Sequence, residues 1–206
     1  CLAYCEWLTK KARAAGLPFD LPNATAYNET CGQIGNLMWN WRMLYVQPEA
    51  RFADLMERTL YNSILSGIGI DGQGWTYTNP LCWHGPDHEL LSNDEHTRFD
   101  PGEKHICCPT NLMRTVAGWH GYLYTTDDDG LWIHHYGANR AEINLPSGGS
   151  IHLTMNTDYP WDGRVHLQVD KVDRESPFAI RLRVPGWTKE AALSVNGKPI
   201  VTKADS

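Results

Sequence analysis

The chain has 206 residues, 42% of them hydrophobic and 20% charged, with a formal net charge of −6. This is a globular rather than a disordered composition, long enough for one large domain or two small ones. The acidic balance and the lack of a Lys/Arg run argue against nucleic acid as a partner, and no apolar stretch approaches the roughly 20 residues of a membrane span.

The opening Cys1-Leu2-Ala3-Tyr4-Cys5-Glu6 lacks the charged start and apolar run of a signal peptide, and the final Lys203-Ala204-Asp205-Ser206 has no clear terminal element. A piece of a longer chain is therefore expected. Between Ala24 and Val46 the apolar residues Ile34, Leu37, Met38, Trp41 and Leu44 recur at steps of three and four, which predicts an amphipathic helix. Pro48 marks a break. A second helical pattern follows through Phe52, Leu55, Met56, Leu60, Ile64 and Leu65, closed by Gly67. Two such helices with a short connector suggest an α-hairpin of a bundle or toroid.

Residues 67 to 109 are rich in Gly, Pro and His and show little periodicity, which points to a functional loop system. A short helix is predicted from Asn111 to about His120, with Thr110 as its cap and Pro109 before it. Beyond residue 120 the period changes to two. Strands are predicted at 121–124, 131–134, 141–144, 151–154, 164–169, 178–184 and 192–195, separated by turn signals at Asp129-Gly130, Gly148-Gly149, Asp162-Gly163 and Asn196-Gly197. The fold class expected is α+β, helical over 1–120 and an antiparallel β-sandwich over 121–206. Most of the nine Trp and nine Tyr are assigned to core, although flat aromatic faces also suit sugars.

Six cysteines could form three disulfides, but Cys107 and Cys108 are adjacent and the Cys density is low for a disulfide scaffold. Reduced, metal-binding thiols fit better, so a cytoplasmic or periplasmic setting is expected over a disulfide-rich secreted one. Glu29, Cys31, Cys107 and Cys108 supply three sulfurs and one carboxylate, a complete tetrahedral set for zinc, and a thiolate whose nucleophilicity a metal could tune. For Glu29 and Cys31 to meet one ion, the backbone from Asn28 to Gly32 must be irregular or lie in the first turn of the helix. The ligand spacing matches no common zinc-finger pattern. From the residues alone, Cys31 as a small buried side chain beside an incidental Cys-Cys pair stays open as the alternative. His84, His88, His96 and His105 are read as surface or hydrogen-bonding residues rather than ligands. The sequons at Asn23 and Asn28 are short enough to arise by chance.

Several runs, in order, resemble glycoside hydrolase family 127, the β-L-arabinofuranosidases. They are residues 21–31, ending in Asn28-Glu29-Thr30-Cys31; Gly35-Asn36-Leu37-Met38-Trp39-Asn40-Trp41-Arg42-Met43; Tyr77-Thr78-Asn79-Pro80-Leu81; Cys107-Cys108-Pro109-Thr110-Asn111; Tyr159-Pro160-Trp161-Asp162-Gly163; and Leu182-Arg183-Val184-Pro185-Gly186-Trp187. The resemblance runs from about Leu17 to Val201. It implies the carboxy-terminal part of an (α/α)6 barrel followed by a β-sandwich, and a carbohydrate as substrate. It further implies zinc held by Glu29, Cys31, Cys107 and Cys108, with Cys107 as the nucleophile of a retaining mechanism that passes through a thioglycosyl intermediate. Tyr77 matches a family tyrosine near the nucleophile and is expected to touch sugar or sulfur. One position departs from the pattern. The family's acid/base Glu lies sixteen residues before the zinc-binding Glu, and Arg13 stands there. Arginine cannot exchange a proton near neutral pH. A catalytically inactive carbohydrate-binding or structural zinc module is therefore the competing expectation.

Overall fold

In the computed structural model, residues 28–79 and 106–200 are described. The chain divides into two compact units, one built from residues 1–35 and 59–113, the other from 36–58 and 114–206. The structure is mixed α+β. Among the described residues no helix is long and apolar enough to cross a membrane.

The first predicted helix is α1, Thr30–Val46, and the second begins as α2, Ala50–Thr59. The anticipated apolar face is buried at Ile34, Leu37, Leu44, Phe52 and Met56. After Thr59 the coil widens into a π-turn, Leu60–Ile64, then tightens into a 3-10 turn, Leu65–Gly67. Apolar spacing does not distinguish these windings, and the periodicity predicted one continuous helix. Helix α3 is Cys107–Gly118, so it starts four residues earlier than expected. Pro109, expected just before the helix, lies in its first turn, where a missing N–H costs nothing because those donors have no intrahelical partner anyway. Thr110 does not cap the helix; its hydroxyl donates back to the carbonyls of Ile106 and Cys107, both at 3.0 Å. A 3-10 turn, Trp119–Tyr122, replaces the strand predicted at 121–124.

Among the described residues eight strands follow: β1 Tyr124–Asp127, β2 Gly130–Ile133, β3 Asn139–Asn144, β4 Ser150–Thr157, β5 Val165–Asp173, β6 Ala179–Leu182, β7 Leu193–Val195 and β8 Lys198–Ile200. They form sheets β1-β2-β6 and β3-β4-β5 and the hairpin β7-β8. Alternation works well in β4, where Ile151, Leu153 and Met155 are buried and the residues between them are not. These three join Leu131, Ile133 and Leu145 in one apolar cluster to which both three-stranded sheets contribute. The expectation of wholly antiparallel pairing needs correction. β2 and β6 run parallel, which the long connection through the β3-β4-β5 meander allows and a short hairpin would not. Gly130 permits this pairing, since a Cβ there would lie 2.1 Å from the Ala179 carbonyl oxygen.

The run Leu182 to Trp187 has a physical role in the second unit. Buried Arg183 donates to Asp54 at 2.6 Å and to Glu57, both on α2. Trp187 Nε1 donates to the other oxygen of Glu57 at 2.8 Å, and the Gly186 amide donates to Asp54 at 3.2 Å. A Cβ at position 186 would meet Asp54 Oδ2 at 2.5 Å, which accounts for glycine there. The β7-β8 turn is Asn196-Gly197 as expected, with φ of 51° and 76°, the left-handed pair of a type I′ hairpin.

Candidate metal and nucleophile site

The site is assembled at two helix starts within the first unit. Glu29 precedes α1, and its carbonyl accepts the first helical bond from Gln33 N–H at 3.0 Å. Cys31 follows in the first turn, which is how residues two apart come to share one target. The start of α1 is fastened to residues 76–79. Thr30 N–H donates to the Tyr77 carbonyl at 2.9 Å, and Asn79 N–H donates to the Asn28 carbonyl at 3.0 Å. Asn28 Nδ2 donates to the Asn79 carbonyl at 2.6 Å, and the Thr30 hydroxyl donates to the Thr76 carbonyl at 2.7 Å. Asn28 is buried and bonded, so its sequon presents no accessible acceptor for a glycan. Tyr77 is half-buried and joins this fastening through its backbone.

Cys107 and Cys108 occupy the first turn of α3. Cys31 Sγ lies 3.3 Å from Cys108 Sγ, and Cys107 Sγ lies 3.9 Å from Cys108 Sγ. With a Glu29 carboxylate oxygen, the donor atoms all fall within 4.8 Å of one another. The four residues named from the sequence are thus brought together. Their exposure differs: Cys108 is buried, Cys31 is half-buried and Cys107 is exposed. None of the three is in a disulfide. Burial pushes the Cys108 thiol up, and the neighbouring Cys31 adds to this. Burial also raises Cys31, against a lowering pull from Asn111. Helix N-termini carry partial positive charge, so both helix starts favour anionic sulfur and carboxylate.

The donor set fits a divalent cation. Zn–S bonds of about 2.3 Å in a tetrahedron put sulfurs about 3.8 Å apart, close to the separations found here. Asn111 escaped the sequence reading as a site residue. It donates from Nδ2 to Cys31 Sγ at 3.2 Å. Its position three and four residues after the Cys pair was the available signal. Arg13 and the histidines at 84, 88, 96 and 105 lie outside the described residues.

Residues 9–121 match the family described as Beta-L-arabinofuranosidase, GH127 catalytic domain, and residues 130–206 match its GH127 middle domain. The chain belongs to glycoside hydrolase family 127. It is 34% identical over 194 residues to a non-reducing end β-L-arabinofuranosidase of Bifidobacterium longum subsp. longum, covering 89% of this chain and 28% of that protein. Among solved structures, a protein titled glycoside hydrolase superposes with a TM-score of 0.83 at 41% identity, covering 92% of this chain and 31% of the other. A GH127 β-L-arabinofuranosidase from Geobacillus stearothermophilus T6 superposes with a TM-score of 0.81 at 36% identity, covering 90% and 29%. The chain therefore spans under a third of the length of these relatives.

Proposed function

We propose that this chain forms part of a zinc-dependent, retaining glycoside hydrolase that releases β-L-arabinofuranose from plant-type glycans. Residues 1–120 would contribute to an (α/α)6 barrel and residues 121–206 to a β-sandwich. The observation that carries the reading is the gathering of Glu29, Cys31, Cys107 and Cys108, with Cys107 alone of the three thiols on the exposed side. A sugar can approach Cys107, while buried Cys108 and half-buried Cys31 suit ligation.

Glu29, Cys31, Cys107 and Cys108 would hold the zinc, which when bound supplies the charge that keeps thiolates deprotonated near neutral pH. Cys107 Sγ attacks the anomeric carbon and forms a C–S bond as the glycosidic C–O bond breaks and the leaving oxygen takes the electron pair. Water then attacks the same carbon, the C–S bond breaks and sulfur leaves as thiolate, the proton that water sheds passing through solvent to the departed oxygen, so two inversions give retention. Glu29 and Cys31, fixed at the start of α1, and Cys108 beside Cys107 would help hold the attacking sulfur in place.

Arg13 favours a second reading, an inactive carbohydrate-binding or structural zinc module. Loss of a general acid costs about 10²–10⁴-fold in rate, least for leaving groups such as nitrophenol that need no proton. The two readings separate on a nitrophenyl β-L-arabinofuranoside, assayed with the longer protein that carries this chain. Turnover that disappears in Cys107→Ala, with a pentosyl adduct on the Cys107 peptide in the parent, supports the enzyme. Turnover that survives Cys107→Ala sinks the proposed nucleophile. No turnover with zinc bound leaves the module.

A further inference from the structure

Asn111 is not among the four donors assembled above. On α3 it stands three residues after Cys108 and four after Cys107, the spacing that places side chains on one helix face. Its amide nitrogen nevertheless reaches the sulfur contributed by the other helix, Cys31 Sγ at 3.2 Å. That same sulfur is 3.3 Å from Cys108 Sγ. The amide therefore bridges the two ligand pairs, which are separated by more than seventy residues of sequence.

An N–H group beside a sulfur ligand does two things. It fixes the direction in which the remaining lone pairs point, and it draws charge off the sulfur. A neutral amide achieves this without placing a positive charge beside an incoming cation, as Lys or Arg would. Asn also fits the geometry: its side chain is short, and it leaves α3 from the turn that follows the two cysteines.

We propose that Asn111 is a positioning residue of the metal centre, holding the Cys31 sulfur in its ligating direction and tying the α1 ligand pair to the α3 pair. The inference rests on the metal reading given under the proposed function and deepens it. It assigns a role to a residue that touches a ligand and not the metal. Outer partners of this kind are worth about 10–100-fold in metal affinity.

The test is a titration of the reduced protein with Co²⁺, read by the sulfur-to-cobalt charge-transfer absorption, with zinc affinity then obtained by competition. Asn111→Ala removes the donor. Asn111→Leu removes it while keeping the side-chain volume and suiting a helix, which covers the case in which the alanine variant misfolds; circular dichroism checks each. Both variants should bind Co²⁺ about 10–100-fold more weakly. Their charge-transfer band should move to lower energy, because sulfur lone pairs that accept no hydrogen bond lie higher. A folded variant with unchanged affinity and an unmoved band overturns the proposal. Weakened affinity with an unmoved band assigns Asn111 to packing and overturns it as well. A parent protein that develops no charge-transfer band overturns the metal reading itself, a failure visible before any variant is compared.

Discussion

Two clusters of polar residues, one in each compact unit, are built on opposite plans. Around Arg183, a cation is seated among its own anions: Asp54 and Glu57 accept from its guanidinium, and Trp187 and the Gly186 amide use the remaining carboxylate oxygens. Around Cys31, four electron-pair donors converge from two helix starts, and the amide of Asn111 donates to one of them. The first cluster is complete in itself and fixes α2 against the strand end. The second gathers ligands of one kind, with one sulfur facing out. Composition of the cluster, and not burial or charge alone, separates a structural network from a candidate site.

The largest effect that would sharpen this contrast is on activity. Cys107→Ala should reduce turnover of the longer protein by more than about 10³-fold without moving its unfolding midpoint by a comparable amount. A variant that loses stability in step with activity would break the distinction. At the other cluster the ranking should reverse. Arg183→Met leaves two carboxylates facing a buried position and should cost about 3–5 kcal/mol in a denaturant titration. A loss under 1 kcal/mol would show that the network is not the anchor described here.

A third effect comes from His134, whose carbonyl also accepts from Arg183. Its ring is buried, bonded to the Thr125 hydroxyl at 2.7 Å and edge-on to Trp41. Burial first, and the Arg183 charge second, push its pKa down to about 4 from 6.5. The unfolded chain therefore binds the proton at higher pH than the folded one. Stability is whole above about pH 6.5 and drains as pH falls toward 4. At pH 4.5 the loss assignable to this ring should be about 2–3 kcal/mol, seen as a flatter stability profile in His134→Gln than in the parent. Equal profiles would remove His134 from the account. The smallest effect is expected at Asn196, where φ of 51° disfavours a side chain with no local hydrogen bond. Asn196→Ala should cost about 1 kcal/mol and Asn196→Gly almost nothing, as read from thermal unfolding.

What the sequence disclosed depended on the range of the physics involved. β4 and the Asn196-Gly197 hairpin were legible because strand alternation and turn sterics act over a few residues. The parallel pairing of β2 with β6 was not, since it depends on how the chain between residues 134 and 178 folds back. The start of α3 was misplaced because Pro109 is a barrier within a helix and harmless in its first turn. The π-turn at Leu60–Ile64 left no mark on the apolar spacing. Glu29, Cys31, Cys107 and Cys108 were singled out as three sulfurs and a carboxylate and then implied by the family resemblance, and the structure adds their proximity and the ordering of their exposure. Asn111 stood within a quoted motif at helical spacing from the Cys pair, yet its contact is with a sulfur far away in sequence, which that spacing does not indicate.

The fastening of residues 28–30 to residues 76–79 also sets a clock. The first turn of a helix ordinarily frays, and its amides trade hydrogen with water quickly. Here the Thr30 amide is held by the Tyr77 carbonyl and the Asn79 amide by the Asn28 carbonyl. Both protons can leave only when the two segments part. Their exchange with deuterium therefore reports how readily the start of α1, which carries Glu29 and Cys31, opens from residues 76–79.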